Sequence, residues 1–167
     1  RTFPVPREVG RLSVLENLLV AAPGDRMETM WSAWFARGAM RHKTQQLTVQ
    51  ADEILAMLGM SGLRDLPATG LSGGQKKLLE LARVLMHRPR LILLDEPFAG
   101  VNPVRIGEVM EIFRRLTDNG IALLIVEPHL QALKALSARL YGVDRGRVVA
   151  QGDPADVAAS ALVPDPV

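Results

Sequence analysis

The chain has no cysteine among its 167 residues, which excludes disulfide bonds and thiolate chemistry and fits an intracellular setting. No apolar run exceeds a few residues, far short of the ~20 that a membrane-spanning helix needs. No signal peptide opens the chain. It starts at Arg1 rather than Met, and its first residues already have mid-domain character, so a fragment is expected. A net charge of only +2 does not point to nucleic acid, whose binding needs a clustered basic stripe. There is no internal repeat. Low complexity is confined to the tail Val163-Pro164-Asp165-Pro166-Val167, which is expected to be loose.

What is present is an ordinary globular balance, 48% apolar and 23% charged, in a length that suits one domain with a sizeable core but not two. The first part, to about Thr69, reads as helices. Ser13-Val14-Leu15-Glu16 is a capping box, with Ser13 as N-cap and Glu16 reaching back. Leu15, Leu18, Leu19 and Ala22 then follow on one helical face, and Pro23-Gly24 stops the helix. A second helix is expected after Asp25, with Met27, Trp31, Trp34 and Phe35 on one side. A third carries Ala51, Ile54, Leu55 and Leu58 and stops at Gly59.

Beyond this the pattern changes. Leu71-Ser72-Gly73-Gly74-Gln75 leads into a helix with Leu78, Leu81, Ala82 and Leu85 on one face, ended by Pro89. Leu91-Ile92-Leu93-Leu94 has no polar alternation, as expected of a strand buried on both faces. Asn102-Pro103 reads as N-cap and N1 of a helix that buries Ile106, Val109, Met110 and Phe113. Asn119-Gly120 closes it, and residues 121–126 form a second buried strand. A short helix with Leu130, Leu133 and Leu136 follows. Asp144-Arg145-Gly146-Arg147 is the turn of a hairpin ending near Gln151, and Asp153-Pro154 caps a last short helix. Strand and helix alternating after an all-helical segment means α/β, with a parallel sheet and a helical subdomain.

Two places carry chemistry. Asp95-Glu96 follows the first strand directly, and in open parallel sheets ligands bind beyond the carboxyl ends of the strands. Two adjacent acids buried there would need a positive partner. A hydrated Mg²⁺ on a nucleotide phosphate meets that need, with Asp95 in the magnesium shell and Glu96 activating the attacking water. The alternative is a strand-end turn with solvated acids. The second place is residues 71–75. Two glycines at a helix start let the backbone approach a ligand and leave N–H groups free to face it. The helix dipole favours an anion, and the Ser72 hydroxyl can donate as well. The alternative is a flexible loop with a serine N-cap.

Residues 71–75, an amphipathic helix with Glu80, Ala82 and Arg83, the stretch 91–97, and then Ala99-Gly100-Val101-Asn102-Pro103 come in an order that resembles the ABC ATPases. The stretch 71–103 is similar to their signature motif, Walker B motif and D-loop without a gap. The likeness is strongest to the group that includes the branched-chain amino acid importer subunits, where the signature helix continues with a run like residues 77–83. Arg1-Thr2-Phe3 and Leu12-Ser13-Val14-Leu15-Glu16-Asn17 resemble that group's segment around the Q-loop, and residues 144–150 also match.

The resemblance implies a P-loop NTPase-like core over residues 1–167. It has a helical subdomain at 5–70, the signature helix, Walker B strand, D-loop and switch region at 71–152, and a tail at 153–167. It implies ATP and Mg²⁺ at a composite site. There Ser72, Gly73, Gly74 and Gln75 of one nucleotide-binding domain grip the ATP held by a second, in a homo- or heterodimer, while Asp95 serves the metal and Glu96 and His129 serve catalysis. The opening and closing of that pair would drive transmembrane permease subunits. The chain itself would lie on the inner face of the cell membrane, with no span of its own and no nucleic acid.

Three departures stand out. The Walker A spacing Gly-x-x-x-x-Gly-Lys-Ser/Thr is met nowhere, and is expected upstream of Arg1, so this chain alone should be inactive. The family's glutamine after Arg-Thr-Phe is Pro4 here, which offers neither a side-chain amide nor an N–H. The family's switch histidine follows a run like Ile-Val-Glu. Here Val126-Glu127 is followed by Pro128, and His129 comes one position late. Slow or altered hydrolysis is therefore an expectation, and a weakly hydrolysing, nucleotide-dependent dimerisation or regulatory subunit is the alternative function. A soluble relative acting on DNA or ribosomes would carry long insertions, and none is visible. Met27, Trp31, Trp34 and Phe35 read as core, or else as part of the groove where the family docks its coupling helices. Arg37, Arg41, His42 and Lys43 read as a solvated basic face, or else as a contact for lipid headgroups.

Overall fold

The structure is a computed structural model that describes residues 9–23, 37–128 and 130–159. The expected second helix, with Met27, Trp31, Trp34 and Phe35, lies outside the described residues, as do Arg1 to Pro4, His129 and the tail 163–167. The described chain divides between Arg90 and Leu91 into two compact units.

The first unit is helical. Helix α1 (Val14–Ala21) starts in the expected capping box, with Glu16 N–H donating to Ser13 Oγ at 3.1 Å and Ser13 N–H donating to Glu16 Oε2 at 2.8 Å. Helix α2 (Arg37–Met57) and helix α3 (Gly73–Leu85) both pack on α1 and on each other. Between them they bury Val14, Leu18, Ala51, Ile54, Leu55, Leu79, Leu81, Ala82 and Leu85. Helix α2 stops at Gly59 for a physical reason. With φ +69°, Gly59 lets its own N–H reach Ala56 O at 3.1 Å and the Met60 N–H reach Leu55 O at 2.7 Å, the paired bonds of a glycine helix stop.

The buried face of α1 is not the expected one. Val14, Asn17 and Leu18 are inside, whereas Leu15 and Leu19 are only half-buried. A polar residue was excluded from the apolar stripe, yet Asn17 is 1% exposed because it is fully bonded. Its Oδ1 accepts from Val9 N–H at 2.9 Å, and its Nδ2 donates to Ser13 O at 2.9 Å and Val9 O at 3.2 Å. Replacing Asn17 by Leu should lower stability by about 2 kcal/mol, since it leaves the part-buried Val9 amide without its acceptor and strips the fully buried position of all its side-chain hydrogen bonds. Denaturant unfolding of the full-length protein would measure this, and a change under ~0.5 kcal/mol would contradict it.

The segment stapled by Asn17 pairs with residues 64–69. Val14 and Leu15 N–H donate to Leu66 O and Arg64 O at 3.0 and 2.9 Å, and Ala68 and Thr69 N–H donate to Leu12 O and Gly10 O at 3.0 and 3.3 Å. A Cβ on Gly10 would stand 2.9 Å from Thr69 Cγ2, so any side chain there would force the Thr69 methyl to shift. Arg64 is pinned by ion pairs to Asp52 and Asp65, both at 2.7 Å. The hydrogen bonds it donates to Asp52 and then to Asp65 hold its guanidinium above its ordinary range, so it stays charged at any working pH. This frame fixes the chain immediately before Leu71 and Ser72.

The second unit is α/β. Strands β1 (Leu91–Asp95) and β2 (Ala122–Val126) are parallel, with Leu91 opposite Ala122 and Asp95 opposite Val126. Helix α4 (Ile106–Asp118) connects them, burying Ile112, Phe113 and Leu116. It ends at Gly120 (φ +82°) in the same glycine stop as α2. Asn102 does not cap α4 directly. Its Oδ1 accepts from Val104 N–H at 3.0 Å and caps a single tighter turn, Pro103–Arg105, that precedes α4. Helix α5 (Leu130–Leu136), a hairpin of β3 (Leu140–Asp144) and β4 (Arg147–Gly152), and helix α6 (Pro154–Ala159) complete the unit.

The expectation of strands buried on both faces is corrected. Ile92 and Leu94 are buried, but Leu91, Leu93, Leu124 and Val126 are 54%, 43%, 55% and 62% exposed. A run without polar alternation signals two apolar faces. Among the described residues only one of them is covered. No helix among the described residues is long and apolar enough to cross a membrane.

Candidate functional site

Ser72 is the N-cap of α3 with extended backbone (φ −65°, ψ 163°). Its Oγ accepts from Gln75 N–H at 3.4 Å, and its own N–H donates to Gln75 Oε1 at 2.9 Å. Gln75, expected to contact the nucleotide, therefore already uses its carbonyl oxygen to brace the loop. The Ser72 hydroxyl spends a lone pair on this box and keeps its proton to donate. Gly73 and Gly74 come ahead of the first intrahelical bond, Lys76 N–H to Ser72 O at 2.9 Å, so their amides are among the helix's unpaired donors.

Neither glycine is demanded by the fold. Neither has positive φ, and a Cβ added at either would meet nothing within 4 Å. Both Ser72 and Gly73 are exposed. The result is a bare, amide-rich helix start with open space before it, which can take an anion at close range.

In the second unit, Asp95 ends β1 and Glu96 follows, at the carboxyl end of the parallel pair. Both are exposed, so burial imposes no need for a cationic partner on either carboxylate. A different feature marks the place. Glu96 has φ +45°, a left-handed conformation that costs a residue with a side chain about 1–2 kcal/mol and that clusters at functional sites. Its N–H continues the ladder to Val126 O at 2.8 Å.

The turn that follows is held from two sides. Phe98 is buried, its ring 5.8 Å from that of Phe113. Its N–H donates to Glu127 Oε2 at 3.3 Å. Two adjacent carboxylates at a strand tip suit Mg²⁺, which takes one or two protein carboxylates and completes its shell with water and phosphate oxygens. The donor set therefore fits a magnesium nucleotide, with Asp95 and Glu96 as the residues that would face it.

A family profile described as "ABC transporter" matches residues 5–99, more than half of the chain. The chain belongs to the ABC transporter family. Among curated relatives, this ABC chain is 37% identical over 157 residues to the probable branched-chain amino acid transport ATP-binding protein LivG of Archaeoglobus fulgidus, covering 94% of the chain and 60% of that protein. It is 35% identical over 113 residues to the lipopolysaccharide export system ATP-binding protein LptB of Escherichia coli, covering 68% of the chain and 47% of that protein. A solved ATP-binding cassette of an ABC transporter, MJ1267 in its ADP conformation, superposes with TM-score 0.76 at 32% identity, covering 98% of this chain and 65% of that one. The ABC chain thus spans roughly half to three-fifths of the length of these curated relatives.

Two residues of the ABC chain were not singled out from sequence. Phe98 was readable as the one aromatic residue of the stretch 95–103. Glu127 stood in the run that precedes the switch position, but its bond to Phe98 had no local signal, because that partner lies 29 positions away. Among the expected basic face, His42 is exposed.

Proposed function

We propose that this chain serves in an ATP-binding and ATP-hydrolysing subunit that energises a membrane ABC transporter. The observation that carries the reading is the pair of glycines at the exposed start of α3, which the fold does not require and a docking phosphate would. Ser72 donates its hydroxyl, and Gly73 and Gly74 their amides, to the γ-phosphate of ATP bound by a second nucleotide-binding domain, of the same or a different chain. Asp95 faces the metal. Bound Mg²⁺ would neutralise phosphate charge as it develops in the transition state. Glu96 takes the proton of the water whose oxygen attacks the γ-phosphorus as the bond to the ADP oxygen breaks. His129 is a candidate phosphate contact. Transmembrane permease subunits would be the partners, and the cytoplasmic face of the membrane the place of work. The names of the relatives support branched-chain amino acids or similar small solutes as cargo. The functional division is a helical subdomain at 5–70 with the chemistry at 71–152, and α3, at the start of the second stretch, packs within the helical unit that ends at Arg90.

Pro4 and Pro128 favour a second reading, a subunit that binds nucleotide and dimerises but hydrolyses slowly, because each removes an N–H and displaces a family side chain. Steady-state hydrolysis by the full-length protein with its co-purified membrane partner separates the two. Magnesium-dependent turnover of about 1 s⁻¹ or faster supports the first. Nucleotide-dependent dimerisation at a rate well below that supports the second. Failure to bind ATP overturns both.

A further inference from the structure

We propose that Glu127 is a positioning residue, whose carboxylate at the tip of β2 fixes the turn that carries Glu96 at the tip of β1. The inference rests on the proposed function for what that turn does, but not for the contact itself.

Glu96 N–H is spent on Val126 O at 2.8 Å. Pro97 has no N–H. The next donor along the turn is the amide of Phe98, and it is met by Glu127 Oε2 at 3.3 Å in a partly buried setting. The two bonds bracket the acidic residue. One is the last rung of the strand ladder, and the other comes from the very next residue of β2's chain. A carboxylate is a stronger acceptor than an amide or carbonyl oxygen, and Pro128, directly after Glu127, brings no amide of its own to compete for it.

The bracket matters because Glu96 sits at φ +45°. Such a conformation persists only where its surroundings over-determine it. On one side of the turn Phe98 is anchored by its buried ring against Phe113. On the other, the Phe98 amide is anchored by Glu127. Loss of the carboxylate frees the turn to relax toward an unstrained backbone, which swings the Glu96 side chain away from the place where it takes the water's proton, without touching Ser72, Gly73 or Gly74. Movement of the chain at residues 126–128 is transmitted to Glu96 by the same two bonds.

The test compares Glu127→Ala and Glu127→Gln in the full-length protein. Amide hydrogen exchange at Phe98 is expected to quicken about tenfold or more in the alanine variant. The glutamine variant keeps an acceptor and should stay within about threefold of wild type. In steady-state hydrolysis, Glu127→Ala should lower kcat about tenfold or more with KM for ATP within about twofold, and Glu127→Gln should recover most of the loss. Unchanged Phe98 exchange in Glu127→Ala overturns the latch. Faster exchange with unchanged kcat, or a rise in KM alone, overturns its role in positioning. If Glu127→Ala does not fold, Glu127→Gln decides, and a tenfold loss of kcat in that variant with unchanged exchange contradicts the proposal. An inactive wild type would overturn the proposed function, while the exchange result would still judge the latch.

Discussion

Gly73→Asp should abolish function and leave the fold intact. In the full-length protein, ATP hydrolysis should fall at least about 100-fold, the scale seen when a donor aimed at developing negative charge is lost. The new carboxylate would face the γ-phosphate where a bare amide now stands. No clash follows within the chain, since a Cβ at this position meets nothing within 4 Å. An acid in the first turn of a helix interacts favourably with the helix dipole, by about 0.3–1 kcal/mol, and replacing glycine also raises helix propensity. The midpoint of thermal unfolding should therefore stay level or rise by a few degrees. A variant that is destabilised would show that the glycine serves folding. One that is stable and fully active would show that nothing docks at the start of α3.

The second large effect concerns Glu96. Glu96→Gln should reduce hydrolysis about 100-fold or more while preserving ATP binding, because the amide keeps the shape and loses the base. ATP-dependent dimers should accumulate, visible by size-exclusion chromatography. Glu96→Gly should be equally inactive but should unfold no more easily than wild type, and up to about 1 kcal/mol less easily, because glycine removes the strain of φ +45°. Wild-type rates in either variant would remove Glu96 from the chemistry. Clear destabilisation of Glu96→Gly would instead show that the side chain, not the backbone, is what the fold needs there.

Local chemistry was legible in the sequence where cause and effect are close together. The capping box at Ser13, the serine N-cap at Ser72, the glycine stops at Gly59 and Gly120, and the hairpin turn at Arg145-Gly146 all involve partners within a few positions. The acidic strand tip and the glycine-rich helix start were readable for the same reason. Long-range causes were not. Asn17 was not placed on the buried face of its helix, because its four bonds to residues 9–13 are visible only in three dimensions. The approach of Gly10 to Thr69 and the reach of Glu127 to Phe98 link positions far apart in the chain. The outward faces of β1 and β2 had the same composition as buried ones, and composition alone says nothing about what lies above a strand.

That last feature has a practical side. Leu93 and Leu124 stand opposite each other, flanked by Leu91 and Val126 on the same face, so the paired strands present a greasy aliphatic strip to water. Such strips draw like to like. In a tube, this polypeptide handled by itself would tend to stick to its own copies and to brighten hydrophobic dyes. Charged replacements at Leu93 and Leu124 are the place to begin when a well-behaved sample is wanted.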